Sequence, residues 1–260
     1  MVDGKPVYSE YSAIFSERTA PTKPVSVKIT KRTDKSVTLS WSKNNTADGY
    51  VVQVYKNKKW TTAVKNTGIN KTAAEVTGLN PGTEYKLRVL SFKDGTEVIY
   101  SEPAEITGYT LPSAVTGFKT KSKTNSNIVL QWNKNTSATG YEIQKWDGKK
   151  WVDLAKLTGN ATTAYTVKNL KAGTLYKYRI RAYKMYGSTA VYGAYSTTLS
   201  VRTNPSVVAG AKLGGRAADA LRINWTKNTS ADGYIVEMYQ NGKWARVAKI
   251  TKNSTTTFRK

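Results

Sequence analysis

The segments LSWSKNNTADGYVVQVY (39–55), LQWNKNTSATGYEIQKW (130–146) and INWTKNTSADGYIVEMY (223–239) align with one another without a gap. Each segment carries a Trp at its third position and a Tyr nine residues after that Trp. The three Trp residues stand 91 and 93 residues apart, and the three Tyr residues keep the same intervals (Trp41, Trp132 and Trp225; Tyr50, Tyr141 and Tyr234). A period of this length corresponds to a small domain and not to a solenoid repeat. The chain therefore contains three copies of one domain-sized unit.

Short runs of alternating character surround each of these segments. Turn signals separate the runs at intervals of about 8 to 12 residues, which is the pattern of antiparallel strands in a β-sandwich. Tyr, Trp, Thr and Val, which favour strands, are plentiful. We therefore expect an all-β chain of tandem immunoglobulin-like antiparallel β-sandwiches. In the second unit the runs are VTGFKTK (115–121), NIVLQW (127–132), GYEIQKW (140–146), KKWVDLA (149–155), TAYTV (163–167), LYKYRIRAY (175–183) and YSTTLSVRT (195–203).

The repeated unit resembles the fibronectin type III domain. The Trp of each segment matches the family's strand-B Trp, and the Tyr matches its strand-C Tyr. The segments GLNPGTEYKLRV (78–89) and NLKAGTLYKYRI (169–180) resemble the corner between strands E and F. The resemblance implies that Tyr85 and Tyr176 form the tyrosine corner of that fold.

Domain boundaries follow from Pro and small polar residues in three short linkers, TAPTKP (19–24), TLPSA (110–114) and TNPSV (203–207). Such linkers suit a semi-rigid string of domains. Residues 1–20 resemble the closing strand of a preceding domain, and the third unit stops inside its expected strand E. We expect a piece of a longer array, with neighbouring domains as partners and a third unit that is incompletely folded or leans on another element. The expected divisions are 1–20 (strand remnant), 21–111 and 112–204 (complete domains), and 205–260 (a domain without strands F and G).

The composition argues against catalysis and against a bound cofactor or metal. The 260 residues include no Cys and no His, which removes the usual thiol, imidazole and zinc-ligand chemistries. The second unit has only Glu142, Asp147 and Asp153 as carboxylates. Glu142 alternates outward on a strand and Asp147 lies in an Asp-Gly turn, so surface and turn roles account for both. We expect a protein that is not an enzyme.

The loops KNNTADGY, KNTSATGY and KNTSADGY admit three interpretations. Their Asp residues and Asn-x-Ser/Thr patterns could indicate a calcium site or glycosylation. The third interpretation is an ordinary turn. It is favoured because Thr139 replaces Asp48 and Asp232 in the middle unit, and no loop gathers the oxygen ligands that calcium requires.

One outer sheet face gathers aromatic and basic side chains. Strand alternation sends Trp146 outward, and a tight hairpin returns Trp151 beside it. Either sugar rings stack on these Trp residues while Arg and Lys hold anionic groups, or each Trp lies under an Arg stem in a cation-π stack. Because the aromatic pair recurs in every unit, as Tyr239 and Trp244 in the third, the stack is favoured. The candidate ligand face comprises Trp146, Trp151, Lys177, Arg179 and Arg181 in the second unit, and Tyr55, Trp60, Lys86 and Arg88 in the first.

The chain is strongly basic, with 41 Lys and Arg against 17 Asp and Glu and a formal charge of +24. Residues 21–111 carry 14 basic and 8 acidic residues, whereas 112–204 carry 15 and 3, so a polyanion should prefer the second unit. The Lys row of strand A (Lys119, Lys121 and Lys123) also discourages edge pairing between sheets. No signature of sequence-specific nucleic-acid binding is present, and no apolar run is long enough to insert into a membrane.

The resemblance implies an extracellular or cell-surface bacterial protein, in which arrays of this family commonly join catalytic, carbohydrate-binding and wall-anchoring modules. The first hypothesis is a non-catalytic spacer and adhesion scaffold. The alternative is a module that binds polysaccharide or an anionic cell-wall polymer through the aromatic and basic face. Loss of saturable binding on Trp151→Ala, with the fold intact, would identify the alternative.

Overall fold

The alternating runs of the first unit form eight antiparallel strands in a computed structural model that describes residues 8–11 and 18–260. One sheet has the order β1-β2-β5, and the other has the order β4-β3-β6-β7 with β8 also paired to β6. Most of the predicted remnant 1–20 lies outside the described residues. The strands are β1 (Lys28–Arg32), β2 (Val37–Ser40), β3 (Gly49–Lys56), β4 (Lys59–Thr67), β5 (Ala73–Val76), β6 (Glu84–Lys93), β7 (Ile99–Tyr100) and β8 (Ala104–Tyr109).

The second unit repeats this arrangement. Its sheets have the orders β9-β10-β13 and β12-β11-β14-β15, with β16 also paired to β14. The long strand β14 therefore borders β11 along one edge and two successive strands along the other. The strands are β9 (Lys119–Lys123), β10 (Ile128–Gln131), β11 (Gly140–Trp146), β12 (Trp151–Thr158), β13 (Ala164–Val167), β14 (Leu175–Tyr186), β15 (Thr189–Tyr192) and β16 (Leu199–Arg202).

The third unit has five described strands in a three-stranded and a two-stranded sheet, ordered β17-β18-β21 and β19-β20. A cavity of about 470 Å³, lined in part by Ile223, Val236 and Phe258, opens between these sheets. Its buried core is correspondingly small, with Trp225, Tyr234 and Val236. The strands are β17 (Lys212–Ala217), β18 (Ala220–Asn224), β19 (Tyr234–Gln240), β20 (Lys243–Ile250) and β21 (Thr257–Arg259).

Each core is centred on the repeated Trp and Tyr. Trp41 and Tyr50 are buried with ring centroids 5.2 Å apart, and Trp132 and Tyr141 are buried with centroids 5.3 Å apart. Burial of a large aromatic side chain is a principal source of stability in a small sandwich. The expectation of an all-β chain of tandem antiparallel sandwiches is confirmed.

A Gly precedes each core Tyr because a larger residue would clash there. An added Cβ at Gly49 would overlap the carbonyl oxygen of Asn66, and one at Gly140 would overlap that of Leu157. The neighbouring strand therefore approaches the backbone too closely for any side chain at the start of β3 and β11.

By contact clustering the chain divides into two compact units, Met1–Thr110 and Leu111–Lys260. No helix long and apolar enough to cross a membrane occurs in the ranges 8–11 and 18–260.

Candidate functional site

The loop between the second and third strands of each sandwich holds the linker that enters the same unit. In the second unit the Asn135 Oδ1 accepts hydrogen bonds from Ser137 N (3.0 Å), Ser137 Oγ (2.6 Å) and Ser113 Oγ (3.2 Å). The Asn135 Nδ2 donates to Ser113 O (2.7 Å), and Ser113 N donates to Ser137 Oγ (3.0 Å). Asn135 is buried, and both the Oδ1 and the Nδ2 of its side chain have hydrogen-bond partners. We call this arrangement of Asn135, Ser137 and Ser113 the linker clasp.

The same linker clasp occurs in the other two units. In the first, Asn44 Nδ2 donates to Thr22 O (2.6 Å), and its Oδ1 accepts from Thr46 and Thr22. The third unit repeats the contacts with Asn228, Ser230 and Ser206 in place of Asn135, Ser137 and Ser113. The clasp is therefore a property of the repeat.

The core Tyr ties the clasp to the interior of each sandwich. Tyr141 Oη accepts a hydrogen bond from Asn135 N (2.8 Å) and donates to Asn160 O (3.0 Å). Tyr50 and Tyr234 make the equivalent pairs of bonds. A buried hydroxyl that both accepts and donates leaves no polar group unpaired, so the Tyr fixes the loop on which the clasp depends.

The preceding unit anchors the other end of the linkers at 110–114 and 203–207. Thr203 is buried, its N–H donates to Thr174 O (3.1 Å), and its Oγ1 donates to Lys171 O (2.7 Å). Thr110 bonds in the same way to Thr83 and Asn80. Only two residues, the second a Pro, separate each anchored Thr from the next clasped Ser. The Pro of each segment has a fixed φ angle.

These contacts bear on the three interpretations of the loops. The amide nitrogen that glycosylation would modify is buried and bonded to a linker carbonyl in Asn44, Asn135 and Asn228. No group of three or more potential metal ligands occurs in the part of the chain that the structure describes. The loops have the geometry of turns stabilised by an Asn side chain.

The corner tyrosines also bond to the backbone. Asn80 N donates to Tyr85 Oη (2.8 Å), and Lys171 N donates to Tyr176 Oη (2.9 Å). In both cases the donor lies five residues before the Tyr, which is the geometry of a tyrosine corner. Tyr85 is buried, and Tyr176 is half-buried and stacks on Tyr178 with ring centroids 6.4 Å apart.

The aromatic and basic residues of the second unit stack on one another. The Trp146 and Trp151 rings meet edge to face at 5.5 Å. The Arg179 Cζ lies 4.5 Å from the Trp151 centroid and 3.8 Å from that of Tyr195. The Arg181 Cζ then lies 4.5 Å from Tyr195 and 4.0 Å from Tyr192. Each guanidinium thus has an aromatic ring on two sides, and we call the six residues Trp146, Trp151, Arg179, Tyr195, Arg181 and Tyr192 the aromatic–cation ladder.

The expectation that Glu142 has an ordinary surface role is wrong. It lies on the outer face, as strand alternation requires, but its side chain is only 9% exposed. Its Oε1 accepts from Arg181 Nε (2.7 Å) and Tyr195 Oη (2.8 Å) and lies 2.7 Å from Arg181 Nη2. The ladder covers this carboxylate because Tyr195 follows β15 and lies over the sheet face. A buried carboxylate needs such charged and hydroxyl partners.

Sequence reasoning missed Tyr192 and Tyr195. Tyr192 is the last residue of β15, and Tyr195 lies in the segment between β15 and β16 that is not a strand, so strand alternation did not place them on this face. Burial, as the largest cause, raises the pKa of Tyr195 to about 12, and its bond to Glu142 acts in the same direction. A hydrogen bond with Tyr192 raises the pKa of Lys156, whose Nζ lies 5.0 Å from the Tyr183 centroid.

The first unit has a shorter version of this stack. The Tyr55 and Trp60 rings lie 5.3 Å apart, and the Arg88 Cζ lies 4.3 Å from the Trp60 centroid. Arg88 Nε donates to Gln53 Oε1 (2.7 Å), as Arg179 Nε does to Gln144 Oε1 (2.8 Å). Lys86 is exposed. The positions of Glu142 and Arg181 are filled by Val51 and Leu90, both buried.

The third unit retains the aromatic pair, with Tyr239 and Trp244 at 5.3 Å. Trp244 is 67% exposed, whereas Trp151 is half-buried. Among the described residues of this unit there is no counterpart of β14 to supply an Arg. Trp60 and Trp151 are therefore each covered by an Arg side chain, whereas Trp244 is exposed to solvent.

The remaining candidate residue, Lys177, is exposed at the start of β14 beside the turn of the β11–β12 hairpin. In that turn the Asp147 Oδ1 accepts from Lys149 N and Lys150 N, both at 2.8 Å. The backbone N–H of Lys150 and then that of Lys149 lower the pKa of Asp147. Asp147 thus has a turn role.

Comparison with known proteins gives a consistent result. A family model described as the fibronectin type III domain matches residues 20–107 and 113–198. The chain is 30% identical over 194 residues to the receptor-type tyrosine-protein phosphatase eta of Gallus gallus, a match that covers 74% of this chain and 13% of that protein. It is 30% identical over 210 residues to chitinase A1 of Niallia circulans, covering 74% of this chain and 28% of the chitinase. The chain therefore spans less than a third of either relative.

Among solved structures, a segment of two fibronectin type III domains from chicken tenascin is similar. The match has 19% sequence identity and a TM-score of 0.46, and it covers 69% of this chain and 99% of the tenascin segment.

Proposed function

The chain belongs to the fibronectin type III family, and from that premise we propose that it is a non-catalytic spacer and adhesion scaffold of a secreted or cell-surface bacterial protein. Its role is to hold neighbouring modules at a defined separation. The observation that carries the proposal is the linker clasp, which recurs at the start of all three units.

The clasp suits a spacer because it removes freedom from the linker. A flexible tether leaves its residues unbonded, and each ordered residue costs about 1–2 kcal/mol of conformational entropy. Here Ser113 is bonded to Asn135 and Ser137, and Thr110 is bonded to its own unit, which leaves only Leu111 and Pro112 between them. Each such hydrogen bond contributes about 0.5–1.5 kcal/mol net and so offsets part of the cost of ordering.

Two further observations favour the proposal. The aromatic–cation ladder uses its cations to cover a sheet face, so it reinforces a scaffold. One of the relatives is a bacterial chitinase of which the chain resembles only a part, which fits an accessory segment of a secreted protein that acts on polysaccharide.

The test measures the distribution of distances across one linker. The chain contains no Cys, so Lys59→Cys, at the exposed start of β4, and Lys149→Cys, in the exposed turn after β11, allow spin labels to be attached to the first and second units of the whole chain. Double electron–electron resonance should give a narrow distribution. Asn135→Ala removes the clasp between the labels and should broaden it.

Asn44→Ala is the matched control, because it removes the same side chain from a clasp that holds the segment before the first unit. It should leave the distribution unchanged. A wild-type distribution as broad as that of a flexible chain would refute the spacer function. Equal broadening by the two variants would show that the clasp between the labels is not responsible.

A further inference from the structure

A groove opens at the turn end of the second unit, beyond the last paired residues of β11 and β14. The pairing of these strands runs from Gly140 with Tyr183 to Lys145 with Tyr178. The residues that follow on β11 and precede on β14 line a groove of about 370 Å³. The walls of this groove include Lys145, Trp146, Leu175, Tyr176 and Lys177.

One wall of the groove is apolar. Leu175 is 49% exposed, and Trp146 and Tyr176 are each half-buried. Trp146 is the end of the ladder and contacts Trp151, and among the described residues no Arg lies over its ring. Leu175 and Trp146, which both lie on the outer sheet face, form a surface that the C–H face of a sugar ring can cover.

The cations of the groove are not neutralised by the unit's own carboxylates. Across residues 8–11 and 18–260 the recorded ion pairs are Lys65 with Asp94 and Arg181 with Glu142. Asp153 accepts from Gln144. Asp147 also lines the groove, but its Oδ1 accepts from two backbone N–H groups of its own turn. Lys145 Nζ lies over the Tyr176 ring, 5.9 Å from its centroid. Among the described residues no ion pair or ring contact engages Lys177, which therefore remains available to an anion.

We propose that this groove binds an anionic polysaccharide. One sugar ring packs against Trp146 and Leu175, and its carboxylate or sulfate group contacts Lys177. A single short groove with one terminal Trp suits a sugar better than a nucleic acid, whose bases need successive stacking platforms. This inference goes beyond the spacer function and does not depend on it.

The first unit lacks one requirement of the site. Glu84 directly precedes the corner residue Tyr85, as Leu175 directly precedes Tyr176. The first unit therefore places a carboxylate where the second presents an apolar side chain, and a carboxylate repels an anionic ligand. Binding should reside in the second unit.

The experiment titrates the whole chain with polygalacturonate, dextran sulfate, neutral dextran and single-stranded DNA in a calorimeter. At about 0.15 M salt, where surface charges more than about 8 Å apart are screened, at least one anionic polysaccharide should still bind saturably. Lys177→Gln should weaken this binding about fivefold, as expected for one ion pair at the rim of a site. Leu175→Glu, as a separate variant, should weaken the binding more than Lys177→Gln does.

Two controls make the result decisive. Lys121→Gln removes the same charge from β9 in the other sheet and should leave the affinity unchanged. Leu175→Glu places at an exposed position the residue that the first unit already carries there, so the circular dichroism of the variant should match that of the parent. The proposal is overturned by equal losses from Lys121→Gln and Lys177→Gln, by equal affinity for DNA or neutral dextran, or by no salt-resistant binding.

Discussion

Replacing Glu142 with Val should destabilise the second unit by about 3 kcal/mol. Removing one partner of a buried ion pair costs about 3–5 kcal/mol, and the lower value applies because the Arg181 side chain is 25% exposed and can recover some water. The substitution removes the acceptor of Arg181 Nε, Arg181 Nη2 and Tyr195 Oη together.

The first unit supplies the compensating change. Val51 and Leu90 occupy the corresponding positions there and are both buried. Glu142→Val combined with Arg181→Leu should therefore lie within about 1 kcal/mol of the parent, since apolar replacement of a whole buried pair is commonly neutral or stabilising.

Hydrogen exchange followed by mass spectrometry on the whole chain resolves the units. Peptides from β11 and β14 report the free energy of opening of the second unit, and those from β3 and β6 serve as internal reference. The single variant should raise the opening constant about a hundredfold. A loss below about 1 kcal/mol, or a double variant no more stable than the single one, would show that Glu142 and Arg181 do not form a coupled buried pair.

Three further predictions concern the clasp, the ladder and its titration. Asn135→Ala should cost about 2 kcal/mol in the same exchange experiment, because Ser113 O and Ser137 N lose their partner; unchanged protection of β10 and β11 would contradict this. Trp151→Ala should cost about 3 kcal/mol and Trp244→Ala less than about 1 kcal/mol, because the first is half-buried under Arg179 and the second is exposed; similar exchange changes in β12 and β20 would be inconsistent. Because the pKa of Tyr195 is raised from 10.0 to about 12, the neutral phenol is favoured in the fold, so its stabilising contribution is complete below pH 10.0 and is lost as the pH rises through about 12. Thermal unfolding of the parent and of Tyr195→Phe across that range should show a smaller loss in the variant, whereas parallel curves would argue against this linkage.

Part of the outer face could be read from the pattern alone. Strand alternation places Trp146, Trp151 and Arg179 on one side of the sheet, and the structure shows Arg179 over Trp151. Alternation could not show that Glu142 is covered, since burial on that face depends on Tyr195, which lies 53 residues later in the chain.

The linker clasp shows the same division. The Asn-x-Ser/Thr pattern of the loops is visible in the sequence, and it favours a turn. That Asn135 holds Ser113 requires the linker to run beside the loop, and this is a contact across 22 residues. A local motif with a distant partner has several interpretations until the chain path is known.

The repeat, the all-β class and the strand-by-strand alternation can be read from the sequence, because they follow from side-chain period and turn chemistry within a few residues. Which outward residues are covered, which linker atoms are bonded and where a groove remains open become visible only in the folded chain. These properties depend on which strands and loops pack side by side. The local conformational preferences of residues do not specify which strands and loops pack together. The burial and hydrogen bonding of residues distant in the sequence do.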